Sequence, residues 1–267
     1  MSHKPRKRFG QNFLHDRHII QRIINAIDTN DSTRIVEIGP GKGALTIPLL
    51  QATGRLDVVE IDRDLAQQLA ASCRAAGTLN IHVMDVLKFD FCGLDAGKIK
   101  VVGNLPFNIS TPLLFHLLNN IHCIERMLFM MQREVVDRIC AQPDSGSYGR
   151  LTVMVQSVCE ARKLFNIAPG AFTPAPKVEA SIVSLIPKSA VNCRVHDRMI
   201  FSQVVKQAFN QRRKTIRNSL KGLADETTLR EAGIVPSQRA ENLSVADYIK
   251  LANFLHDTHN IPRTNCG

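Results

Sequence analysis

The sequence predicts an α/β protein with a parallel sheet covered by helices, followed by a small all-helical C-terminal domain. From about residue 33 to residue 131, short apolar runs rich in β-branched residues alternate with helical patterns, which is typical of βαβ units. Pro187 breaks this pattern, and helical periodicity with little strand signal follows it. We therefore expect two domains, residues 1–188 and residues 189–267.

Six strands and four helices are predicted within the first domain, from apolar runs and from helical periodicity. The predicted strands cover residues 33–38, 56–61, 80–84, 98–102, 124–131 and 180–186. The predicted helices cover residues 43–53, 63–76, 110–119 and 133–141, and residues 151–159 fit either state. In the second domain, a capping-box pattern from Ser244 to Asp247 predicts a final helix that runs to about His256.

The composition excludes several classes of protein. A hydrophobic content of 44%, a charged content of 22% and a mean hydropathy of −0.07 fit neither a disordered chain nor a membrane protein. No apolar run approaches the roughly 18 residues that a membrane-spanning helix needs, and no secretory signal pattern is present. The seven cysteines are scattered without a Cys-x-x-Cys pair, so we expect reduced thiols in a cytoplasmic protein.

The positive charge is concentrated in two short segments. The chain has 34 basic and 24 acidic residues, for a net charge of +10. Four basic residues form an N-terminal arm within residues 4–8, and six more lie in residues 206–221, the basic segment, which contains no acid. Arg213, Arg217 and Lys221 have the spacing that would align them on one face of a helix. Clustered positive charge of this kind favours a nucleic-acid partner, because phosphates offset the mutual repulsion.

A glycine-rich loop follows the first strand of the sheet. Residues 37–43 read Glu-Ile-Gly-Pro-Gly-Lys-Gly, with Gly39 at the strand end where open α/β sheets bind their ligands. The spacing matches neither the dinucleotide pattern nor a phosphate-binding loop, and Glu37 would oppose a pyrophosphate. Glu60 ends the second strand, where it can accept the ribose hydroxyls, and Asp85 ends the third, where it can accept an adenine amine. Together they describe a site for S-adenosylmethionine.

Residues 104–107, Asn-Leu-Pro-Phe, follow the fourth strand at the same edge of the sheet. The amine of an adenine is a weak nucleophile, because its lone pair is delocalised into the ring. We expect the side-chain carbonyl of Asn104 and the backbone carbonyl of Leu105 to hold both N–H groups out of the ring plane and localise that pair. Pro106 stiffens the loop, and Phe107 offers a face for the base to stack on. The base must then be flipped out or single-stranded, and no metal is required.

Five segments in order resemble the signature motifs of the ribosomal RNA adenine dimethyltransferases. They are residues 7–14, 37–43, 104–112, 172–178 and 212–218. The resemblance covers essentially the whole chain, is strongest to the small-subunit branch, and implies the Rossmann-like sheet of class I S-adenosylmethionine-dependent methyltransferases. It also implies that four methyl groups are transferred to the N6 atoms of two adjacent adenosines, in a hairpin loop near the 3′ end of 16S rRNA within the small ribosomal subunit.

The resemblance also implies a set of site residues. The cofactor would be held by Asn12, Leu14, Gly39, Glu60, Asp85 and Asn104. Phe172 matches a second aromatic residue beside the target base. Phe107 departs from the family, in which tyrosine is commoner, so stacking is kept and a hydroxyl hydrogen bond is lost. The candidate RNA-binding residues of the basic segment are Arg212, Arg213, Lys214, Arg217 and Lys221.

Two other functions stay open at the level of the sequence. The macrolide-resistance methyltransferases, which modify an adenine of 23S rRNA, share the glycine loop and the Asn-x-Pro-aromatic motif. Residues 104–112 and 212–214 favour the small-subunit branch over them. A ribosome assembly factor that acts mainly by binding would use the same basic segment. Nothing in the sequence demands a membrane or more than a monomer.

Overall fold

The computed structural model describes residues 12–29, 33–94, 97–106, 109–189, 195–211 and 213–260. For residues 259 and 260 it describes the backbone only. The chain divides into two compact units: residues 1–136 with 161–187, and residues 137–160 with 188–267. Residues 137–160 thus group with the second unit, and the division at residue 188 that the sequence suggests remains a prediction. None of the helices in the described part of the chain combines the length and apolar character that crossing a membrane requires.

Strands and helices alternate through the first unit, and helices dominate the second. The described strands are β1 (Phe13–Leu14), β2 (Arg34–Ile38), β3 (Arg55–Glu60), β4 (Thr78–Val83), β5 (Ile99–Asn104), β6 (Ile124–Gln132), β7 (Cys159–Ile167), β8 (Phe172–Thr173) and β9 (Ala180–Pro187). The described α-helices are α1 (Arg17–Ile27), α2 (Thr46–Thr53), α3 (Arg63–Ser72), α4 (Ser110–Asn119), α5 (Arg133–Ile139), α6 (Arg150–Gln156), α7 (Arg198–Ala208), α8 (Ile216–Ser219), α9 (Glu226–Glu231) and α10 (Val245–Asn260).

Seven of the strands form one sheet, in the order β4-β3-β2-β5-β6-β9-β7. The strands from β4 to β6 in that order are parallel, and β9 is antiparallel to β6. The chain runs from β2 to β3 and β4 on one side and returns to β5 on the other. The point where the strand order reverses therefore lies between β2 and β5, where such sheets bind ligands. This sheet confirms the predicted α/β fold class.

The centre of the sheet is apolar on both faces. Ile35 and Val36 are neighbours on β2, so their side chains point to opposite faces, and they are 2% and 0% exposed. Burial on both faces explains why the central strands appear in the sequence as mostly apolar runs. Gly103 lies where β5 passes β2 most closely, because a Cβ atom there would be 2.5 Å from the carbonyl oxygen of Ile38. Only glycine allows this approach, which brings the loop after β2 beside the residues that follow β5.

Some elements of the fold were not predicted, among them α1, β7 and the two-residue strands β1 and β8. Residues 151–159, which fit either state in the sequence, are mostly α6, and β7 begins at Cys159. Along β7, exposed or half-exposed positions occupy the whole interior of the strand. A search for apolar runs therefore misses it, because the strand has mixed polarity.

The helices of the second unit pack around two tyrosines. Tyr148 and Tyr248 are almost fully buried, and their hydroxyls donate to the carbonyls of Leu243 at 2.9 Å and Ala240 at 2.7 Å. The predicted capping box at the start of α10 is confirmed. The backbone N–H of residue 244 donates to the residue 247 carboxylate at 2.9 Å, and the residue 244 hydroxyl accepts the residue 247 N–H at 3.1 Å.

Cys92 and Cys123 are joined by a disulfide, so the expectation of reduced thiols is wrong for this pair. Both lie in short 3-10 turns, at residues 92–94 and 121–123, which precede β5 and β6. The sequence separation of 31 residues gives no local signal for such a contact. The other cysteines of the described residues, Cys73, Cys140 and Cys159, are not part of a disulfide. Cys193 and Cys266 lie outside the described residues.

Candidate functional site

A cavity of about 370 Å³ opens in the first unit at the carboxyl ends of the central strands. Its size is in the range of small-molecule sites. Its lining includes every residue predicted to hold the cofactor, namely Asn12, Leu14, Gly39, Glu60, Asp85 and Asn104. It also includes Leu105, Pro106 and Phe172. The structure thus brings residues from six separate segments of the sequence into one place.

The glycine loop closes one side of this cavity. Gly39, Gly41 and Gly43 have φ values of +63°, +55° and +84°, which other residues rarely adopt. A Cβ atom on Gly41 would lie 3.2 Å from the ring of Phe13. The Nζ of Lys42 lies 4.6 Å from the centre of the same ring, in a cation–π contact. The loop therefore packs against Phe13, a residue that the sequence analysis did not single out.

Glu60 is buried at the end of β3, and backbone donors hold its carboxylate. Its Oε2 accepts the N–H of Gly41 at 3.3 Å, and its Oε1 accepts the N–H of Asp62 at 2.9 Å. Burial raises the pKa of Glu60, and these two hydrogen bonds oppose the shift. A carboxylate has about four acceptor positions, so an oriented Glu60 can still accept hydroxyl groups of a ligand.

Glu37 lies deeper, at 2% exposure, and Thr46 donates its hydroxyl to Oε2 at 2.6 Å. Burial raises the pKa of Glu37 to about 7; the Thr46 hydrogen bond lowers it, and the charge of Glu60 raises it. Among the described residues, the cavity lining contains three carboxyl groups, the third being Asp85, and one amine, that of Lys42. This balance favours a ligand with positive charge.

Asp85 lies two residues after the end of β4 and caps the short 3-10 turn at residues 86–88. Its Oδ1 accepts the N–H of Leu87 at 3.0 Å, which fixes the carboxylate at the cavity. Ile61 and Val86 line the same cavity, and Ile61 is 51% exposed. Ile61 was not predicted; the available sequence signal was an apolar residue directly after Glu60, at the end of a parallel strand.

Asn104 lies at the end of β5, and its amide is held in one orientation. Its Nδ2 donates to the backbone carbonyl of Asn12 at 3.1 Å. A carbonyl oxygen can only accept, so the NH₂ end of the amide must face Asn12, and Oδ1 points away from it. Leu105 is the first residue after β5, and its N–H donates to the carbonyl of Met130 at 3.0 Å. Both predicted acceptor residues are therefore fixed by backbone contacts.

Phe172 reaches the cavity through a two-stranded pairing. β8 is antiparallel to β1, with Leu14 opposite Phe172. Phe172 is 5% exposed and lines the cavity. The predicted second aromatic residue is thus beside the predicted cofactor site. Phe107, the first aromatic residue, lies outside the described residues.

The basic segment of the second unit does not form the predicted helical stripe. The alignment of Arg213, Arg217 and Lys221 on one helix is wrong, because α8 spans only Ile216–Ser219. Thr215 forms an isolated β-bridge, and the N–H of residue 216 donates to the carbonyl of residue 238 at 2.6 Å. Tertiary pairing therefore replaces helical hydrogen bonds at residues 215 and 216 of this segment.

The basic residues of the segment have different surroundings. Lys214 and Lys221 line a polar cavity of about 300 Å³, together with Gln207, Asn210, Gln211, Asn218 and Ser219. Arg213 is exposed. The guanidinium of Arg217 pairs with Glu226 at 2.9 Å, and the same carboxylate pairs with Arg230 at 2.7 Å, so the charge of Arg217 is only partly offset within the unit. Arg212 and the N-terminal arm, residues 4–8, lie outside the described residues.

Sequence comparisons show which family and which named proteins the chain is similar to. The model of the family described as ribosomal RNA adenine dimethylase matches residues 2–257. The chain is 49% identical over 255 residues to the ribosomal RNA small subunit methyltransferase A of Pseudomonas fluorescens (strain Pf0-1), covering 95% of this chain and 94% of that protein. It is 50% identical over 257 residues to the protein of the same name from Methylococcus capsulatus, covering 96% and 100%.

Solved structures share the fold. A dimethyladenosine transferase from Plasmodium falciparum superimposes with a TM-score of 0.82 at 24% identity, over 92% of this chain and 98% of that one. The 23S rRNA methyltransferase ErmE superimposes with a TM-score of 0.71 at 24% identity, over 92% and 100%. At this level of identity the likeness establishes the architecture.

Proposed function

The chain belongs to the ribosomal RNA adenine dimethylase family, and from this premise we propose that it transfers methyl groups from S-adenosylmethionine to adenine N6 atoms of small-subunit rRNA. The observation that carries the proposal is the amide of Asn104, which contacts Asn12 and turns its Oδ1 away from that contact at the edge of the ligand cavity. The proposed product is N6,N6-dimethyladenosine at two adjacent positions of a hairpin loop near the 3′ end of 16S rRNA. The enzyme would act in the cytoplasm, as a monomer and without a metal.

The lining of the cavity fits S-adenosylmethionine. In its described part, three carboxyl groups against one amine suit a positively charged sulfur. Glu60, oriented by two backbone N–H groups, suits the ribose hydroxyls, and Asp85 suits the adenine amine beside the apolar side chains of Ile61 and Val86. Asn12 and Leu14 would contact the methionine end. When bound, S-adenosylmethionine supplies an electrophilic methyl group on that sulfur.

Two acceptors would prepare the adenine nitrogen for attack. In the proposed complex, Asn104 Oδ1 and the carbonyl of Leu105 accept the two N6 hydrogens and hold them out of the ring plane. The lone pair is then localised on nitrogen and directed at the methyl group. The same two oxygens carry partial negative charge, which stabilises the positive charge that develops on nitrogen. The methylated nitrogen is acidic, so its proton can leave to water without a protein base.

Aromatic residues would hold the flipped base. Phe172 is buried in the cavity lining, in a position fixed by the pairing of β8 with β1. Stacking of a base on an aromatic side chain contributes about 1–3 kcal/mol. Phe107 follows Asn104 by three residues and is proposed to supply the second stacking face. Between such faces the base is excluded from water and aligned with the cofactor.

Docking on rRNA is assigned to the basic segment. Lys214 and Lys221 present two ammonium groups at a cavity with no acid in its described lining, and Arg213 is exposed beside them. These groups can neutralise phosphates whatever the local base sequence, with release of counterions. Arg212 and Arg217 belong to the same proposed surface. Relatives of 49–50% identity that are named for the small subunit support this choice of substrate.

The experiment that tests the function is transfer of radiolabelled methyl groups to purified small subunits that lack dimethyladenosine. Large subunits and naked RNA are assayed in parallel, and Asn104→Ala protein is the matched control. We expect label on small subunits alone, recovered as N6,N6-dimethyladenosine. Label on large subunits would instead indicate the macrolide-resistance function. Tight binding to small subunits with no label would indicate an assembly factor.

A further inference from the structure

A cluster of two cysteines and a histidine lies at the far edge of the sheet from the ligand cavity. Cys92 belongs to the turn before β5, and His122 and Cys123 belong to the turn before β6. β5 and β6 are parallel neighbours, so the turns that precede them meet at the amino ends of the strands. The ligand cavity lies at the carboxyl ends. The proposed methyl transfer therefore makes no use of this cluster.

We propose that Cys92, Cys123 and His122 bind one thiophilic divalent cation, such as Zn²⁺, when the disulfide is reduced. Their candidate donor atoms all lie within 4.8 Å of one another. Two thiolates with one imidazole form a donor set that zinc prefers, and three protein ligands leave a fourth position for water or another oxygen. The disulfide has no thiolate to offer, so the oxidised form excludes the cation.

The imidazole is already placed as a ligand beside one sulfur. Cys92 Sγ lies 3.4 Å from His122 Nε2. In a tetrahedral zinc site, with zinc–sulfur bonds of about 2.3 Å and zinc–nitrogen bonds of about 2.0 Å, these two ligand atoms are about 3.5 Å apart. This pair therefore needs almost no adjustment. Separation of the two sulfur atoms after reduction is the remaining change.

Asn120 places oxygen atoms around the same sulfurs. Its backbone carbonyl lies 3.1 Å from Cys123 Sγ and 3.9 Å from Cys92 Sγ, and its Oδ1 lies 3.7 Å from Cys92 Sγ. A disulfide sulfur carries no proton to donate to these oxygens. The backbone carbonyl also accepts the N–H of Cys123 at 3.2 Å, and a cation among the sulfurs would be attracted to both oxygens. Since His122 is exposed and Cys92 is half-buried, a cation can enter from solvent.

Reduction of the disulfide yields the two thiols that the cation then binds. A phosphine reductant breaks the S–S bond, takes one oxygen from water to become a phosphine oxide, and leaves two thiols. Zn²⁺ then binds both sulfurs as thiolates, and two protons pass to the buffer. Disulfide and metal would each tie residues 92–94 to residues 121–123. The two links exclude each other, so metal content would follow the redox state of the pair.

The test uses the full-length chain in a Cys193→Ser/Cys266→Ser background, which removes the thiols outside the described residues. Protein reduced with phosphine and then desalted is titrated with Co²⁺, followed by Zn²⁺, without oxygen. We expect one equivalent of Co²⁺ with a thiolate charge-transfer absorption that Zn²⁺ abolishes. Cys92→Ser and His122→Ala should each weaken binding at least about tenfold. Cys140→Ser, at a thiol elsewhere in the chain, should leave it unchanged.

The thiolate absorption band distinguishes the proposed site from a second group of potential metal ligands in the chain. His196, His256 and Asp257 also lie close together, but they offer no sulfur, so Co²⁺ bound there gives no such band. The proposal is overturned if the reduced chain shows no band, if Cys92→Ser leaves the band intact, or if the oxidised chain binds equally. His122 is exposed, so His122→Ala keeps the test valid if the cysteine variant misfolds. Methyl transfer should be unchanged throughout, which separates this proposal from the proposed function.

Discussion

The ligand cavity of the first unit and the basic segment of the second unit hold their functional side chains in different ways. In the cavity, backbone groups fix Asn104 and Glu60, and neither side chain is free to rotate. In the basic segment, the charged side chains extend from short elements into solvent, and Arg217 pairs with an acid. Methyl transfer needs acceptors held in place before the reaction, whereas phosphate binding needs charge within reach. Substitutions should therefore have large, position-specific effects in the cavity and smaller ones in the basic segment.

The largest expected effect is on the rate of methyl transfer. Asn104→Ala removes one of the two proposed acceptors, and we expect kcat to fall about 100- to 1,000-fold, the usual cost of losing one such group. Single-turnover transfer to small subunits measures it. Asn119→Ala, at an exposed position of α4, is the matched control and should keep the wild-type rate. An Asn104→Ala enzyme with normal kcat would contradict the assigned role.

The next effect is on stability. Burial raises the pKa of Glu37 in the folded protein to about 7 from an ordinary value near 4.5, so folding favours the protonated form. The stability contributed by that form is complete below pH 4.5 and is lost as the pH rises through 7. Glutamine at position 37 does not titrate, so Glu37→Gln should not lose this stability. As the pH rises from 4.5 to 8 in the absence of ligand, the free energy of unfolding of the variant should therefore rise by about 3 kcal/mol relative to that of wild type. Urea unfolding across this range measures it, with exposed Glu160→Gln as a control whose difference stays flat.

A smaller effect is expected on cofactor affinity. Glu60→Gln removes a charged acceptor for the ribose hydroxyls, and hydrogen bonds to charged groups contribute about 1.5–3 kcal/mol. We expect the Kd for S-adenosylmethionine to rise about 10- to 100-fold, with Glu160→Gln again as control. Calorimetric titration measures both. An unchanged Kd for Glu60→Gln would remove Glu60 from the cofactor site.

The smallest effects concern binding to small subunits. Lys214→Ala with Lys221→Ala should reduce the slope of log K against log salt by about 1.4–1.8, since each phosphate contact contributes about 0.7–0.9. Filter binding at several salt concentrations measures the slope. Lys250→Ala, exposed on α10, is the control and should leave it unchanged. An unaltered slope in the double variant would remove these lysines from the RNA surface.

The pairing of Arg217 sharpens this comparison further. Because Glu226, which it shares with Arg230, already offsets part of its charge, Arg217→Ala should change the salt slope less than Arg213→Ala does. Glu226→Gln should raise affinity by releasing that arginine. Equal slopes of log K against log salt for the two arginine variants would mean that the Arg217–Glu226 ion pair opens without a free-energy cost when RNA binds.

Much of the cavity could be predicted because its signals are local. Glu60, Asp85 and Asn104 each follow an apolar run that becomes a parallel strand or its end, and such ends meet at one edge of the sheet. The glycine loop marks the same edge. Phe13 and Ile61 were missed because their roles depend on contacts with other segments, Phe13 with Gly41 and Ile61 with the cavity as a whole.

The features that were not predicted depend on contacts that sequence spacing does not encode. The helical stripe failed because residue 216 pairs with residue 238 across the second unit, which overrides the local helical pattern. The partner of Arg217 lies on another helix, and the disulfide of Cys92 joins two separate turns. β7 escaped because its half-exposed positions give it no apolar run.

The central claim is that methyl transfer takes place in the ligand cavity and docking on the basic segment. Its most direct test is the binding of Asn104→Ala protein to small subunits that lack dimethyladenosine, measured together with methyl transfer on the same preparation. If chemistry resides in the cavity and docking in the basic segment, the variant should bind these particles with the wild-type Kd and transfer little or no label. Loss of particle binding together with methyl transfer would contradict it, because docking would then depend on the catalytic amide itself.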